Sequence, residues 1–194
     1  MKKVALKSVA SVQGGYQAKR NVKDKSGGTH RLIQGRDFDS FHNLQEHSLK
    51  LFFPQRKPEL YIVNKGDVLF QSRGTQNIAY CIEEDLKDTL AAGSFYIIRI
   101  KNENLIPHYL AWWLNQKSAQ TYFRTQASGT IMSFVPITVL ANYKIPIPPL
   151  ATQKRIKEVF SLWKKEQMLI NKINERRREL IDTVCFNTII KQGE

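Results

Sequence analysis

"YKIPIPPLATQKRI", Tyr143 to Ile156, divides the chain into two textures. Pro146, Pro148 and Pro149 fix φ and lack a backbone donor, so the stretch can be neither a helix nor an inner strand and reads as a stiff connector. Beyond it, residues 152–190 contain no Gly or Pro, and Ile156, Val159, Phe160, Trp163, Ile170, Ile173, Leu180 and Val184 recur at spacings of three, four and seven. This pattern predicts one long helix with an apolar seam, interrupted at Glu166 and Arg177. Roughly 38 residues at 1.5 Å each would reach about 57 Å. Thr152 is the expected N-cap, although Arg155 stands where a capping box would carry an acid.

On the other side of the prolines the elements are short. Val4 to Tyr16 reads as a strand or helical turn closed by Gly14 and Gly15, and residues 17–30 as a basic loop. "HRLIQGRDF" offers a short strand emptying into an exposed corner. Tyr61–Val63 and Val68–Phe70 read as two strands around a turn at Asn64–Asp67, and Ile78–Ile82 as another strand after a turn at Arg73–Gln76. Residues 93–101 form a strand with both faces buried, and residues 107–126 one helix with Pro107 in its first turn and Gly129 beyond its end. "IMSFVPI" then looks strand-like, followed by a turn at Ala141 and Asn142. Short strands mixed with helices, without regular βα alternation, predict an α+β domain over residues 1–150 and a separate spacer or dimerisation helix over 151–194.

The charge is strongly positive, +13 from 30 Lys and Arg against 17 Asp and Glu, which points to a polyanionic partner. It is also concentrated: residues 1–80 carry a net +8 and residues 81–150 only +1. Cys81 and Cys185 have no CxxC spacing and no neighbouring His cluster, so neither a disulfide framework nor a zinc site is expected. With no signal peptide and no run of eighteen apolar residues, a cytoplasmic location is expected.

Catalytic signatures were sought in the same way. The chain has no GxGxxG, Walker A, GxSxG or HExxH pattern, and His30, His42, His47 and His108 are not at metal-ligand spacings. The acidic "EEDLKD", 83–88, reads as a solvated turn, Asp67 as a residue that caps backbone amides, and Trp112 and Trp113 as packing surface. Binding chemistry remains.

The order of "NKGDVLFQSRGT", "IPHYLAWWLNQKSAQ" and "SGTIMSFVPITVLANYKIPIPPLATQKRI", followed by a long helix, resembles the specificity subunit of type I restriction-modification enzymes. Gly129–Thr130, the "IPIPPL" run, Gln153 and Ile156 carry the resemblance most specifically, and it spans essentially the whole chain. It implies a non-catalytic subunit whose target recognition domain reads one half of a split site in double-stranded DNA. It also implies a long helix that spaces the domain and docks methyltransferase (modification) subunits, with or without a restriction subunit. No cofactor is then expected in this chain, and S-adenosylmethionine belongs on the partner methyltransferase subunit. The family's usual subunit has two such domains and two such helices, whereas this sequence has one of each, as in a half-length form. The alternatives are a stand-alone nuclease or methyltransferase, or a helix-mediated protein-interaction module.

Base reading is expected from Lys, Arg and polar residues on glycine-bearing loops, because Arg pairs with guanine through two hydrogen bonds in the major groove. Four sets qualify: Lys19, Arg20 and Lys23; Arg31, Gln34 and Arg36; Arg73, Thr75 and Gln76; and Ser128 with Thr130. For the helix, the simplest burial of Ile156, Val159, Trp163, Ile170, Ile173, Leu180 and Val184 is against its twin in an antiparallel homodimer.

Overall fold

A computed structural model describes residues 3–18, 26–55, 57–74, 77–128 and 134–191. The chain forms two compact units that meet between Lys157 and Glu158. The first is α+β. Strands β1 (Lys3–Ala5), β2 (Ala10–Gly14), β3 (His30–Ile33), β4 (Lys50–Phe52), β5 (Val68–Gln71), β6 (Ala79–Cys81), β7 (Thr89–Ala91), β8 (Phe95–Ile100) and β9 (Lys144–Pro146) alternate irregularly with helices α1 (Pro107–Leu114), α2 (Lys117–Gln126) and α3 (Ile137–Asn142). Helix α4, Leu150–Lys191, starts in this unit and supplies the described part of the second.

An antiparallel sheet in the order β2-β8-β5-β6 forms the centre of the first unit. Successive strand residues point to opposite faces. Val68, Phe70, Ala79 and Ile98 therefore enter one core, with Leu110, Leu114 and Phe123 of α1 and α2. Leu69, Tyr80, Phe95 and Ile97 enter a second core, with Leu32, Ile33, Phe52 and Leu90 of the three-stranded sheet β4-β3-β7. A sheet covered on both faces needs continuous apolar runs, which is what β5 and β8 supply.

Several local expectations are corrected. Tyr61–Val63 is not a strand: Tyr61 ends a 3-10 turn and Ile62 makes one isolated bridge to Leu90. The corner after β3 is only partly exposed, since Asp37 is buried beside exposed Arg36. The single helix expected over 107–126 is broken at Asn115 and Gln116, because the Asn115 amide both accepts from the Ala79 N–H (2.8 Å) and donates to the Ala79 carbonyl (2.8 Å). The second helix ends at Gln126, and Gly129 lies outside the described residues, as does most of "IMSFVPI". Ile137–Asn142 is a helix instead of a strand end and turn.

The proline run behaves as its chemistry requires. Pro146 ends β9, which pairs only with β1, and a two-stranded sheet has no inner strand for proline to disrupt. α4 begins directly after Pro149, whose carbonyl accepts the N–H groups of Thr152 (2.9 Å) and Gln153 (3.2 Å). Thr152 thus sits within the first turn and is not the N-cap.

Candidate nucleic-acid interface

The strand registers gather loops at one end of the central sheet. Gly14 at the end of β2 pairs with Tyr96, Gln71 at the end of β5 with Phe95, and Phe70 with Ala79 at the start of β6. The last residue of β3 joins them, because the Ile33 carbonyl accepts the Ala92 N–H at 2.9 Å. Chain segments leaving β2, β3 and β5 and entering β6 and β8 therefore meet here.

Gln71 organises this end. Its side-chain amide donates to the Arg73 carbonyl (3.1 Å), and its side-chain oxygen accepts from the Tyr80 hydroxyl (3.3 Å). Burial pushes the Tyr80 phenol up to about 12, which keeps it a neutral donor. Two glycines let other loops close on the same amide. A Cβ at Gly35 would stand 3.2 Å from the Gln71 Nε2, and one at Gly74 only 3.0 Å away, on a backbone at φ +122° that side chains rarely adopt.

The expected loop residues are distributed around this hub. Arg36 follows Gly35, is largely exposed, and has its guanidinium held by the Gln34 side-chain oxygen and, at 3.9 Å, by the Asp37 carboxylate. The Gln34 N–H donates to Asp37 at 2.7 Å, so the corner is fixed from within. Arg73 is exposed and bridges Phe134, which in turn pairs with Ser128 through two backbone bonds of 3.0 Å. Gln34, Arg36, Arg73 and Ser128 thus belong to one region. Arg31 does not: it sits near the opposite end of β3, where its guanidinium donates to the Lys87 carbonyl (3.3 Å) and lies 3.7 Å from Glu46. Lys19, Arg20, Lys23, Thr75, Gln76 and Thr130 lie outside the described residues. The backbone leading towards the first three passes this region, since Tyr16 bridges Ala92 and a Cβ at Gly93 would fall 2.4 Å from the Gln17 amide.

Gln71, Ser94 and Phe134 escaped the sequence reading. Ser72 ties its own N–H (2.8 Å) and hydroxyl (2.9 Å) to the Ser94 carbonyl, which locks Arg73's neighbour to the start of β8. The only signal for them was position, a polar residue at each strand end beside a glycine.

The far end of the sheet is structural. Asp67, in the turn that Gly66 makes at φ +89°, accepts the Asn64 N–H (3.0 Å) and faces Arg99 (3.4 Å). Burial raises its carboxyl above the ordinary aspartate range, against the lowering effect of those partners. Near this end Gln153, fully buried, fastens the start of α4: its oxygen accepts the Ile106 N–H (2.9 Å), and its amide donates to the carbonyls of Asn104 (2.7 Å) and Pro148 (2.8 Å).

In α4, Ile156 is half-buried against the first core. In the second unit, Val159, Trp163, Ile170, Ile173, Leu180 and Val184 are all exposed, as are Leu162, Leu169 and Ile181, which the seam as first read omitted. Among the described residues no helix is long and apolar enough to cross a membrane, and no group of His, Cys, Asp and Glu could hold a metal ion.

The fold is similar to the S subunit of the type I restriction-modification system from M. genitalium, with a TM-score of 0.61 at 15% identity, covering 93% of this chain and 43% of that one. It is also similar to the HsdS subunit from Thermoanaerobacter tengcongensis (TM-score 0.58, 18% identity, 86% and 37% covered). A third likeness is to a chain from a study of complex assembly and conformational transition of the type I R-M system (TM-score 0.64, 17% identity, 87% and 39% covered). This chain spans about two fifths of the length of the chains it resembles. Residues 1–176 match the type I restriction modification DNA specificity domain. The chain belongs to that family, as a specificity component and not a catalytic one.

Proposed function

We propose that residues 1–150 are a target recognition domain that reads one half of a bipartite site in double-stranded DNA. Residues 151–194 then serve as a spacer that docks the modification subunits of a type I restriction-modification complex. The observation that carries this reading is the meeting of Arg36, Arg73 and Ser128 around Gln71, at the end of the sheet remote from the α4 attachment. Two exposed arginines on glycine-hinged loops suit the major groove, where a bidentate Arg–guanine pair gives about 1–3 kcal/mol of discrimination. The basic segment holding Lys19, Arg20 and Lys23 adds phosphate contacts that hold the domain in register. S-adenosylmethionine chemistry belongs to the partner modification subunit.

Duplex binding by the chain, alone and with modification subunits, tests this across a randomised pool and several salt concentrations. Arg36→Ala and Arg73→Ala should each flatten the preference at one base position by about 5- to 150-fold, while Arg31→Ala leaves it intact. Equal binding to every duplex by the unmodified chain and its complexes would overturn the proposal.

A further inference from the structure

The exposed stripe of α4 reads the same from both ends. About a midpoint between Asn171 and Lys172, Ile170 stands at the same distance as Ile173, Glu166 as Arg177, Trp163 as Leu180, Leu162 as Ile181, and Val159 as Val184. At about 100° per residue these ten positions fall within an arc of roughly 100°, on one face of the helix. All ten are exposed. Leu169 lies at the margin of this arc, and its counterpart Asn174 is polar.

An arbitrary partner does not require a sequence to mirror itself. A second copy running antiparallel does, because a two-fold axis sets each residue level with the one equidistant from the centre. The two polar breaks in the stripe fit the same axis and carry opposite charge. Among the described residues, neither Glu166 nor Arg177 has an ion-pair partner in its own chain. Sliding one helix by a heptad would set Glu166 against Val184 or Ile170 of the second copy, and Arg177 against Ile173 or Val159. That would bury four charges without partners, which the mirrored register avoids.

We infer that two copies of this chain pair through α4, antiparallel about an axis between Asn171 and Lys172, with Glu166 of each copy against Arg177 of the other. The inference rests on the reading of α4 as a docking surface and adds its occupant and register. Such a pair would carry two reading domains related by two-fold symmetry, and hence recognise an inverted repeat.

The test uses the full chain and light scattering after size-exclusion chromatography at micromolar concentration. The unmodified chain should be a dimer. Glu166→Arg sets Arg against Arg twice per dimer, and Arg177→Glu sets Glu against Glu twice, so each should dissociate at least about 100-fold more readily. An equimolar mixture of the two variants restores both opposite-charge pairs and should dimerise, as should the doubly substituted chain. A monomeric unmodified chain, single variants that dimerise as well as it does, or a mixture that stays monomeric would each overturn the pairing. Duplex selection on the same samples separates the two readings: a dimer without sequence preference supports the pairing and defeats the recognition reading, and a monomer with a half-site preference does the reverse.

Discussion

Replacing Gln153 by methionine keeps nearly the same volume and removes every hydrogen bond that the side chain makes. Three backbone groups lose their partner at once: the Ile106 N–H and the carbonyls of Asn104 and Pro148. A bond exchanged cleanly with water contributes about 1 kcal/mol, but a buried group left unpaired costs about 1–3 kcal/mol. Asn104 is exposed and its carbonyl can recruit water, whereas the bond to Pro148 is buried. The total is therefore about 3–5 kcal/mol. With a urea m-value of about 2 kcal/mol/M, the midpoint should fall by about 2 M. Trp112 and Trp113, packed against the same core as Ile156, make tryptophan fluorescence a suitable probe, with far-UV circular dichroism to follow the helix. Gln153→Glu sharpens the test, because a carboxylate still accepts from Ile106 but turns lone pairs towards the two carbonyls. It should be at least as damaging as methionine at pH 7 and recover partly under acid conditions, where the protonated group donates once. A midpoint drop below about 0.5 M for methionine, or a glutamate variant as stable as the unmodified chain at pH 7, would refute the view that these bonds fasten the start of α4.

Two further outcomes follow from local geometry. A Cβ at Gly15 would meet the Ala92 carbonyl oxygen at 2.2 Å and that of Ala91 at 2.7 Å, whereas one at Gly14 meets nothing within 4 Å. Gly15→Ala should therefore cost about 2–3 kcal/mol or more in a chemical denaturation, and Gly14→Ala less than about 0.5 kcal/mol; equal effects would contradict the close approach. Asp67 is raised from its ordinary 3.8, so the native chain holds its proton to higher pH than the unfolded one. Its contribution to stability is complete below 3.8 and declines as pH rises through the native value. Set against Asp67→Asn, the unmodified chain should lose relative stability on going from acid to neutral pH. A relative gain over that range would show that Arg99 and the Asn64 amide outweigh desolvation.

Elements whose pattern was satisfied by near neighbours were legible from the residues. The run Val68–Phe70, the alternation in β8 and the Gly66–Asp67 turn all depend on side chains close in sequence, and so does the long helix after the prolines. Elements decided at long range were not. The apolar spacing of residues 107–126 suits an unbroken helix, and only the Asn115 pairing with Ala79, 36 residues away, breaks it. Ile137, Thr138 and Val139 have strand-like propensities, yet they form a helix whose Leu140 is fully buried in the first core. At the candidate site, Arg36 and Arg73 could be named from their glycine neighbours, but their common dependence on Gln71 could not. Nor could the engagement of Arg31 with Lys87 and Glu46, because both partners come from other parts of the chain.

The two ends of β5 and β8 therefore carry different burdens. At one end, Asp67, Arg99 and Gln153 satisfy buried backbone groups, and a change there exposes the first unit to the desolvation cost of each group left unpaired. At the other, the backbone is held by Gln71, Ser72 and Ser94, while the side chains of Arg36 and Arg73 extend into solvent and bury no group of their own. Exchanging those two side chains removes little that the fold requires. Under the proposed reading, new half-site preferences can then arise by substitution at positions 36 and 73 with small cost in stability, because the residues that shape the loops are distinct from those that face the DNA.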